Sequence, residues 1–189
     1  MHNFTRVLCN MKIDCVISIG DFCFWAHFLR AMHVRTAAFP FDWMFSNLAF
    51  VIDCIQTDFS QIKNCLDSQT AQCASKYVEF PFATASFPHH NLKQPENREH
   101  FVRAITRWNK ILEKERNCQV LFTHMSANMA KHDQENLFKF ANAVKERYKH
   151  TNFAILSLCY AENAEKAATY EVNTEKKDDV EFYYIKVYT

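Results

Sequence analysis

The chain contains a single glycine, Gly20, among its 189 residues. Glycine adopts left-handed backbone conformations without steric cost and lets two backbones approach closely. We therefore expect Gly20 to stand where no other residue fits. It follows residues 12–19, a β-branched and apolar stretch without clean alternation, which is typical of a strand covered on both faces. This pattern predicts a sharp turn at the end of the first strand.

A helical pattern follows this turn. Asp21 is suited to cap a helix that runs to about Met32, because apolar residues recur there at intervals of three and four. Cys23 then falls in the first helical turn, beyond the carboxyl end of a strand. Ligands gather at that edge of an open α/β sheet, and the free amides of a helix start stabilise a thiolate. Cys23 is a candidate nucleophile, and a buried structural cysteine is the alternative.

Strand-like and helix-like patterns alternate along the rest of the chain. We expect a packed loop over 39–43, a helix from a cap at Ser46 or Asn47 to about Ile62, a polar connection over 64–75, short irregular strands over 77–87, a helix over 95–116, a strand over 119–123, a helix over 132–148, a strand over 152–159, a helix and an exposed turn over 162–179, and a final strand over 180–188. This order predicts an α/β fold with a mainly parallel central sheet flanked by helices, formed as one catalytic-type domain over residues 1–189.

The composition excludes several classes of partner. The 22 Lys and Arg residues nearly balance the 21 Asp and Glu residues, so the formal charge of +1 gives no field that would recruit nucleic acid or an anionic membrane. No apolar run approaches the ~20 residues that cross a bilayer. The eight cysteines form no Cys-x-x-Cys pair and the start lacks signal-peptide features, which predicts reduced thiols and a cytoplasmic location. We expect a peptide or small-molecule substrate and no cofactor, and the oligomeric state is open.

A nucleophilic cysteine requires a base, and histidines provide the candidates. His89 and His90 stand together in a loop that can return to the strand-end face, although paired loop histidines are commonly just solvent-exposed. His27 comes four residues after Cys23 on the same helical face, and His124 follows the strand over 119–123 and should emerge at its carboxyl end. The leading pair is therefore Cys23 with His89 or His90.

Several further side chains can bind or orient groups at this site. Asp42 lies in an apolar loop, where it can either hold the loop through backbone amides or orient a histidine; the structural role is favoured. A row of cationic residues at helical spacing can bind a phosphate or carboxylate, or form a solvated face; it comprises Arg98, Arg103, Arg107 and Lys110. Cys23, His27, His89 and His90 have the ligand types of a zinc site, but their spacing is not diagnostic.

Several motifs together resemble a known family. They are Ser18-Ile-Gly20-Asp21-Phe-Cys23, Phe39-Pro-Phe-Asp42-Trp43, Phe87-Pro-His89-His90-Asn91, and Arg103-Ala-Ile-Thr-Arg107 ahead of residues 120–122. The resemblance spans roughly residues 14–125 and is to the bacterial and viral DUF1796 family, whose label is papain-like cysteine peptidase. It implies a cysteine hydrolase or transferase with Cys23 as nucleophile, His89 or His90 as base, and Asp42 or Asn91 as orienting group.

The chain departs from the family pattern at two positions. Asn91 stands where an aspartate is common, and His124 stands where an arginine often follows the strand. The label also implies an alternative fold, a papain-like α+β arrangement in which the cysteine-bearing helix packs on an antiparallel sheet. The order of strands and helices favours the parallel sheet.

Three functions are compatible with these residues. The first is amide or acyl chemistry through a Cys23 thioester, with backbone amides of residues 21–23 as the oxyanion hole. The second is a polysaccharide-related hydrolase or transferase in which Ser18, Asp21 and the arginine row hold a sugar or phosphate. The third is a non-enzymatic interaction module that uses exposed aromatic residues, namely Phe80, Phe82 and Tyr183.

Overall fold

The computed structural model of the protein describes residues 12–20, 23–67, 77–80, 83–113, 118–125, 133–161, 165 and 169–188. Its elements in chain order are β1 (Cys15–Ser18), α1 (Cys23–Ala31), β2 (Phe45–Ser46), α2 (Leu48–Gln56), α3 (Ser60–Asp67), β3 (Tyr77–Phe80), β4 (Ala83–Ser86), α4 (Pro95–Leu112), β5 (Gln119–Met125), α5 (Gln134–Arg147), β6 (Asn152–Ala161), β7 (Tyr170–Lys177) and β8 (Val180–Tyr188). No helix among these residues has the length and hydropathy needed to span a membrane.

The main sheet has five strands in the order β1-β5-β6-β8-β7. The pairings from β1 through β8 are parallel, and β7 joins β8 antiparallel. β1 is paired with β5 in the register Cys15↔Val120 to Ser18↔Thr123. The predicted α/β fold with a mainly parallel sheet is confirmed.

Each face of this sheet is covered by helices, as the apolar β1 pattern predicted. On one face, Val16 and Leu121 pack with Trp25 and Leu29 of α1. On the other, Ile17 and alternate residues of the neighbouring strands pack with the apolar residues of α2, α3, α4 and α5. Since the helix bearing Cys23 packs on a mainly parallel sheet, the alternative papain-like α+β arrangement is not the one observed.

The second sheet and the loop before it agree with prediction. β2, β4 and β3 form a three-stranded antiparallel sheet, which places two short strands within 77–87. The loop over 39–43 is packed, because Phe39, Phe41 and Asp42 are each at most 1% exposed. Asn47 caps α2 by accepting the Phe50 amide at 2.9 Å, as one of the two predicted caps.

The single helix predicted from residue 46 or 47 to about 62 is wrong. The chain forms α2 and α3, separated by a break at which Asp58 and Phe59 have φ of 55° and 59°. The break turns the Phe59 ring into the core, where it lies 5.9 Å from the Phe41 ring and 5.8 Å from the Trp108 ring. Burial of this ring outweighs helix continuation, and α3 then extends into the segment expected to be a polar connection.

The helix and exposed turn predicted over 162–179 are wrong for Tyr170–Lys177, where β7 lies. Residues 162–164 and 166–168 lie outside the described residues. All eight residues of β7 are exposed, and only Tyr170 and Val172 are apolar, so the segment has too few apolar residues to predict a strand. The strand is formed instead by pairing with β8 through a two-residue turn at Asp178 and Asp179, which both have positive φ. Charged residues on such an edge strand limit pairing with other chains.

Candidate active site

The candidate site is built at the carboxyl end of β1. α1 begins at Cys23, whose side chain is half-buried, while the next residue, Phe24, is 57% exposed. Asp21, predicted as a cap and a binding residue, lies outside the described residues. Cys23 therefore occupies the first turn of a helix at the sheet edge where ligands collect in α/β folds, as predicted.

Gly20 is required by two features of this turn. Its φ is +107°, and a Cβ at this position would lie 2.6 Å from the Ser46 carbonyl oxygen and 2.7 Å from Ser46 Oγ. The strand β2 thus presses against the turn that precedes Cys23. Both the conformation and the close approach account for the one glycine of the chain.

Trp43 connects the helix that bears Cys23 with the loop that bears His89. The His27 ring meets the Trp43 ring edge-on at 4.6 Å, and the His89 ring meets it at 5.8 Å. His27 and His89 are exposed, and Trp43 is half-buried. Within the described chain, Cys23 is not hydrogen-bonded to any histidine. The structure therefore brings the thiol and two imidazoles to one region without forming the pair.

The β2–β4 pairing explains how His89 reaches this region. Phe45 is paired with Ser86, so the chain that continues from β4 runs antiparallel to the chain that precedes β2. Trp43 and His89 stand just beyond this pair on the two chains, and their rings meet at 5.8 Å. The expected return of the histidine loop to the strand-end face thus depends on a strand of two residues, β2.

His90 lies in a different environment from His89. It is half-buried and stacks on His100 of α4 with ring centroids 4.6 Å apart, while the Phe101 ring lies 5.2 Å away. Burial, with the neighbouring His100 and His89, lowers the pKa of His90 to about 4. His90 is therefore neutral at pH 7 and a weak base, so the structure distinguishes the two histidines that the sequence left equivalent.

The stacked pair predicts a loss of stability in acid. The pKa of His90 is depressed from 6.5 to about 4, so its contribution is complete above pH 6.5 and is lost as the pH falls toward 4. Since the residue is half-buried, solvent screening reduces the effect to about 1 kcal/mol. His90→Phe keeps a stacked ring, and we expect its stability to fall less than that of the wild type between pH 6.5 and 4 in urea unfolding. An unchanged difference across this range, or an equal change in the exposed His150→Phe control, would contradict the assignment.

Asp42 is bound inside the loop over 39–43. Its Oδ2 accepts the Phe39 amide and Arg35 Nε, each at 2.8 Å, and lies 2.7 Å from the second Arg35 nitrogen. Burial raises the pKa of Asp42 to about 6, although Arg35, the Phe39 amide and Arg107 act in the opposite direction. The carboxylate thus fixes the loop that carries Trp43, and Arg35 also lies over the Trp43 ring, 5.3 Å from its centroid.

The residues of this site lie within a segment that matches a known family. A family model described as putative papain-like cysteine peptidase (DUF1796) matches residues 14–163. The chain belongs to the DUF1796 family. No curated protein and no solved structure matches the chain. The match supports a cysteine hydrolase at the level of the family.

Asn91, predicted as a binding or orienting residue, is exposed, and its Oδ1 accepts the Lys93 amide at 3.0 Å. Its carbonyl also accepts the Gln94 amide at 3.0 Å. These bonds shape the turn that leads into α4. They are local and do not reach a histidine.

The cationic row on α4 is engaged within the chain. Arg98 donates to the carbonyls of Leu92 and Lys93 at 3.0 and 2.9 Å, and Arg103 pairs with Glu99 at 3.2 Å in solvent. Arg107 donates to the Ala38 carbonyl, ahead of the Asp42 loop. The three guanidinium groups therefore do not converge on a shared anion site.

The prediction that His124 emerges beyond a strand is wrong. β5 continues to Met125, and His124 is fully buried within it, in register with Ser157 of β6. Its Nδ1 lies 3.5 Å from Ser157 Oγ. Ser18, the other predicted binding residue of the sheet, is 1% exposed in β1. The parallel pairing with β6 lengthens β5 beyond the apolar stretch from which its end was predicted.

The sequence analysis assigned no catalytic or binding role to Trp43 or Ser46. Trp43 stood in a recognised motif, and its aromatic neighbours were a usable signal of packing. Ser46 was considered only as a helix cap, and its contact with Gly20 depends on distant pairing. Among the described residues, no three His, Cys, Asp or Glu side chains converge as a metal site requires.

Proposed function

We propose that the protein is a cysteine hydrolase or acyltransferase in which Cys23 attacks the carbonyl carbon of a peptide or small acyl substrate. DUF1796 membership supports this class of chemistry. The observation that carries the proposal is the contact of Trp43 with both His27 and His89, because it sets the Cys23 helix beside an exposed imidazole. Pairing of a thiol with such a base is the arrangement that activates a cysteine.

We assign the base to His89. It is exposed and therefore free to move toward the thiol, whereas His90 is stacked on His100 and its pKa is lowered to about 4. His27 is the second candidate, since it lies one helical turn after Cys23. Catalytic hydrogen bonds are often long or absent without substrate, so the missing Cys23–His89 bond is compatible with this role.

The reaction proceeds in two balanced steps. The Cys23 proton passes to His89, the thiolate sulfur bonds to the carbonyl carbon, and the leaving amine or alcohol departs with the proton from His89. Water, deprotonated by His89, then attacks the thioester and releases the acid and the Cys23 thiol. Amides at the start of α1 can bind the oxyanion. The chemistry needs a reduced thiol, and Cys23 forms no disulfide among the described residues.

The test is the rate of iodoacetamide labelling at pH 7, with each modified cysteine located by mass spectrometry. Cys118 is half-buried like Cys23 and serves as the matched internal control. We expect Cys23 to label faster than Cys118 by about tenfold or more, and His89→Ala to remove most of this advantage. His90→Ala should leave the ratio nearly unchanged.

Three results would count against the proposal. Equal labelling of Cys23 and Cys118 would show that Cys23 is not activated. A loss of the advantage in His27→Ala alone would transfer the role of base from His89 to His27. Labelling of Cys23 only in denaturant would place the residue in the core.

A further inference from the structure

Two buried hydroxyl groups at the site have no hydrogen-bond partner among the described residues. Ser46 is 2% exposed and Ser18 is 1% exposed, and the Oγ atoms of both are unbonded. A buried polar group without a partner destabilises a fold, because it has given up its hydrogen bonds to water. Such groups in a native protein call for an explanation.

Ser46 is placed beside the turn that presents Cys23. Its Oγ and carbonyl oxygen face Gly20, while Trp43 meets His27. In the sequence Gly20 comes three residues before Cys23 and His27 four residues after it, so residues 43–46 contact the chain on both sides of Cys23. The unbonded hydroxyl therefore lies beside Gly20, close in the chain to the start of α1 at Cys23.

Ser46 is also held firmly. β2 is paired with β4 through Phe45↔Ser86 and Ser46↔Ala85, and the next residue, Asn47, caps α2. Rotation about the single χ1 bond re-aims the hydroxyl without moving the backbone. An oxyanion is best stabilised by a donor that is fixed before the reaction and not bonded elsewhere.

We propose that Ser46 Oγ–H donates a hydrogen bond to the oxyanion that forms when Cys23 is acylated. This inference rests on the proposed nucleophilic role of Cys23 and adds a side-chain donor to the amides at the start of α1. The ligand it recognises is the carbonyl oxygen of an acyl group, in the tetrahedral state. Ser18, which lies within β1 in register with Thr123, is not assigned this role.

Two reagents separate this role from a structural one. With p-nitrophenyl acetate, the Cys23 sulfur bonds to the acetyl carbon, the carbonyl π electrons move to oxygen, and their return expels p-nitrophenolate and leaves S-acetyl-Cys23. The thiol proton passes to His89 and then to solvent. Iodoacetamide instead displaces iodide at a saturated carbon, so no oxyanion forms. The first reaction requires the proposed donor and the second does not.

The experiment compares both rates at Cys23 in the wild type, Ser46→Ala and the matched control Ser18→Ala. We expect Ser46→Ala to slow acetylation by about a hundredfold while alkylation stays within about twofold. Ser18→Ala removes an equally buried, unbonded hydroxyl and should change neither rate. The Tm of Ser46→Ala should be equal to or higher than that of the wild type, because the lost hydroxyl has no partner.

The remaining outcomes each overturn the inference. Equal slowing of both reactions would mean that Ser46 affects only the reactivity of the Cys23 thiol. Unchanged acetylation would mean that Ser46 does not bind the oxyanion. If wild-type Cys23 reacts with neither reagent, the proposed function fails as well, which distinguishes the two failures. Should Ser46→Ala not fold, Ser46→Gly also removes the hydroxyl without adding bulk beside Gly20, and it should show the same separation of rates.

Discussion

Gly20→Ala is expected to lower the free energy of unfolding by about 3 kcal/mol or more. The φ of +107° is strained for any residue with a Cβ, and the added carbon would lie 2.6 Å from the Ser46 carbonyl oxygen. The obstacle is a backbone atom that the β2–β4 pairing and the Asn47 cap keep in place. Relief therefore requires β2 to move, which also displaces Trp43.

Urea unfolding of Gly20→Ala and the wild type measures this loss, and the m values show whether the two-state comparison holds. The double variant Gly20→Ala with Ser46→Gly removes the Oγ contact at 2.7 Å but leaves the carbonyl contact and the φ strain. We expect it to recover only part of the loss, after correction for Ser46→Gly alone. A loss below about 1 kcal/mol would show that the turn tolerates a side chain and would remove the explanation given for this glycine.

Asp42→Ala is expected to cost about 3 to 5 kcal/mol. The change leaves the Phe39 amide without its acceptor and leaves Arg35, whose side chain is 13% exposed, without its counter-ion. Far-UV circular dichroism during urea unfolding measures the cost. The exposed pair Arg103–Glu99 provides the control, because Glu99→Ala breaks an ion pair in solvent and should cost less than about 1 kcal/mol. Similar losses in both variants would contradict a specific role for the buried carboxylate.

The pH dependence of Asp42→Asn tests the same group in another way. Burial raises the pKa of Asp42 from 3.8 to about 6, so the folded state favours the protonated acid. The resulting stability is complete below pH 3.8 and is lost as the pH rises to 6. Relative to Asp42→Asn, the wild type should therefore become less stable over this range, by on the order of 3 kcal/mol. A rise in relative stability over the same range would show that the ion pair with Arg35 outweighs burial.

Much of the fold could be predicted because its central strands are marked by local pattern. β1, β5 and β6 are apolar stretches, and their alternation with amphipathic helices implies parallel pairing. β7 gave no such signal, since it is exposed along its whole length and depends on its pairing with β8. The break between α2 and α3 was likewise invisible locally, because the burial of Phe59 against Phe41 and Trp108 is a tertiary effect.

Part of the candidate site could be predicted from the sequence, and part could not. Gly20 located the turn and Cys23 the helix start, because backbone constraints and helix geometry act over a few residues. The choice between His89 and His90 was not predictable, since it depends on His100, which stacks on His90 from another element. The role proposed for Ser46 depends in the same way on the distance between β2 and Gly20.

The position of β1 at one edge of the main sheet has a consequence for biosynthesis. Within the described sheet its hydrogen-bonding neighbour is β5, and the first contact between them, from Gln119 to Asp14, joins residues 105 apart in the chain. During translation, β1 and the Cys23 helix leave the ribosome long before β5 does. Until then Val16 and Trp25 have no sheet to pack on, so the early chain exposes apolar surface that a chaperone can bind. A ribosome-stalled chain that ends before Gln119 should therefore lack the ordered Cys23 turn. Cys23 would reach its native position only after β5 has emerged.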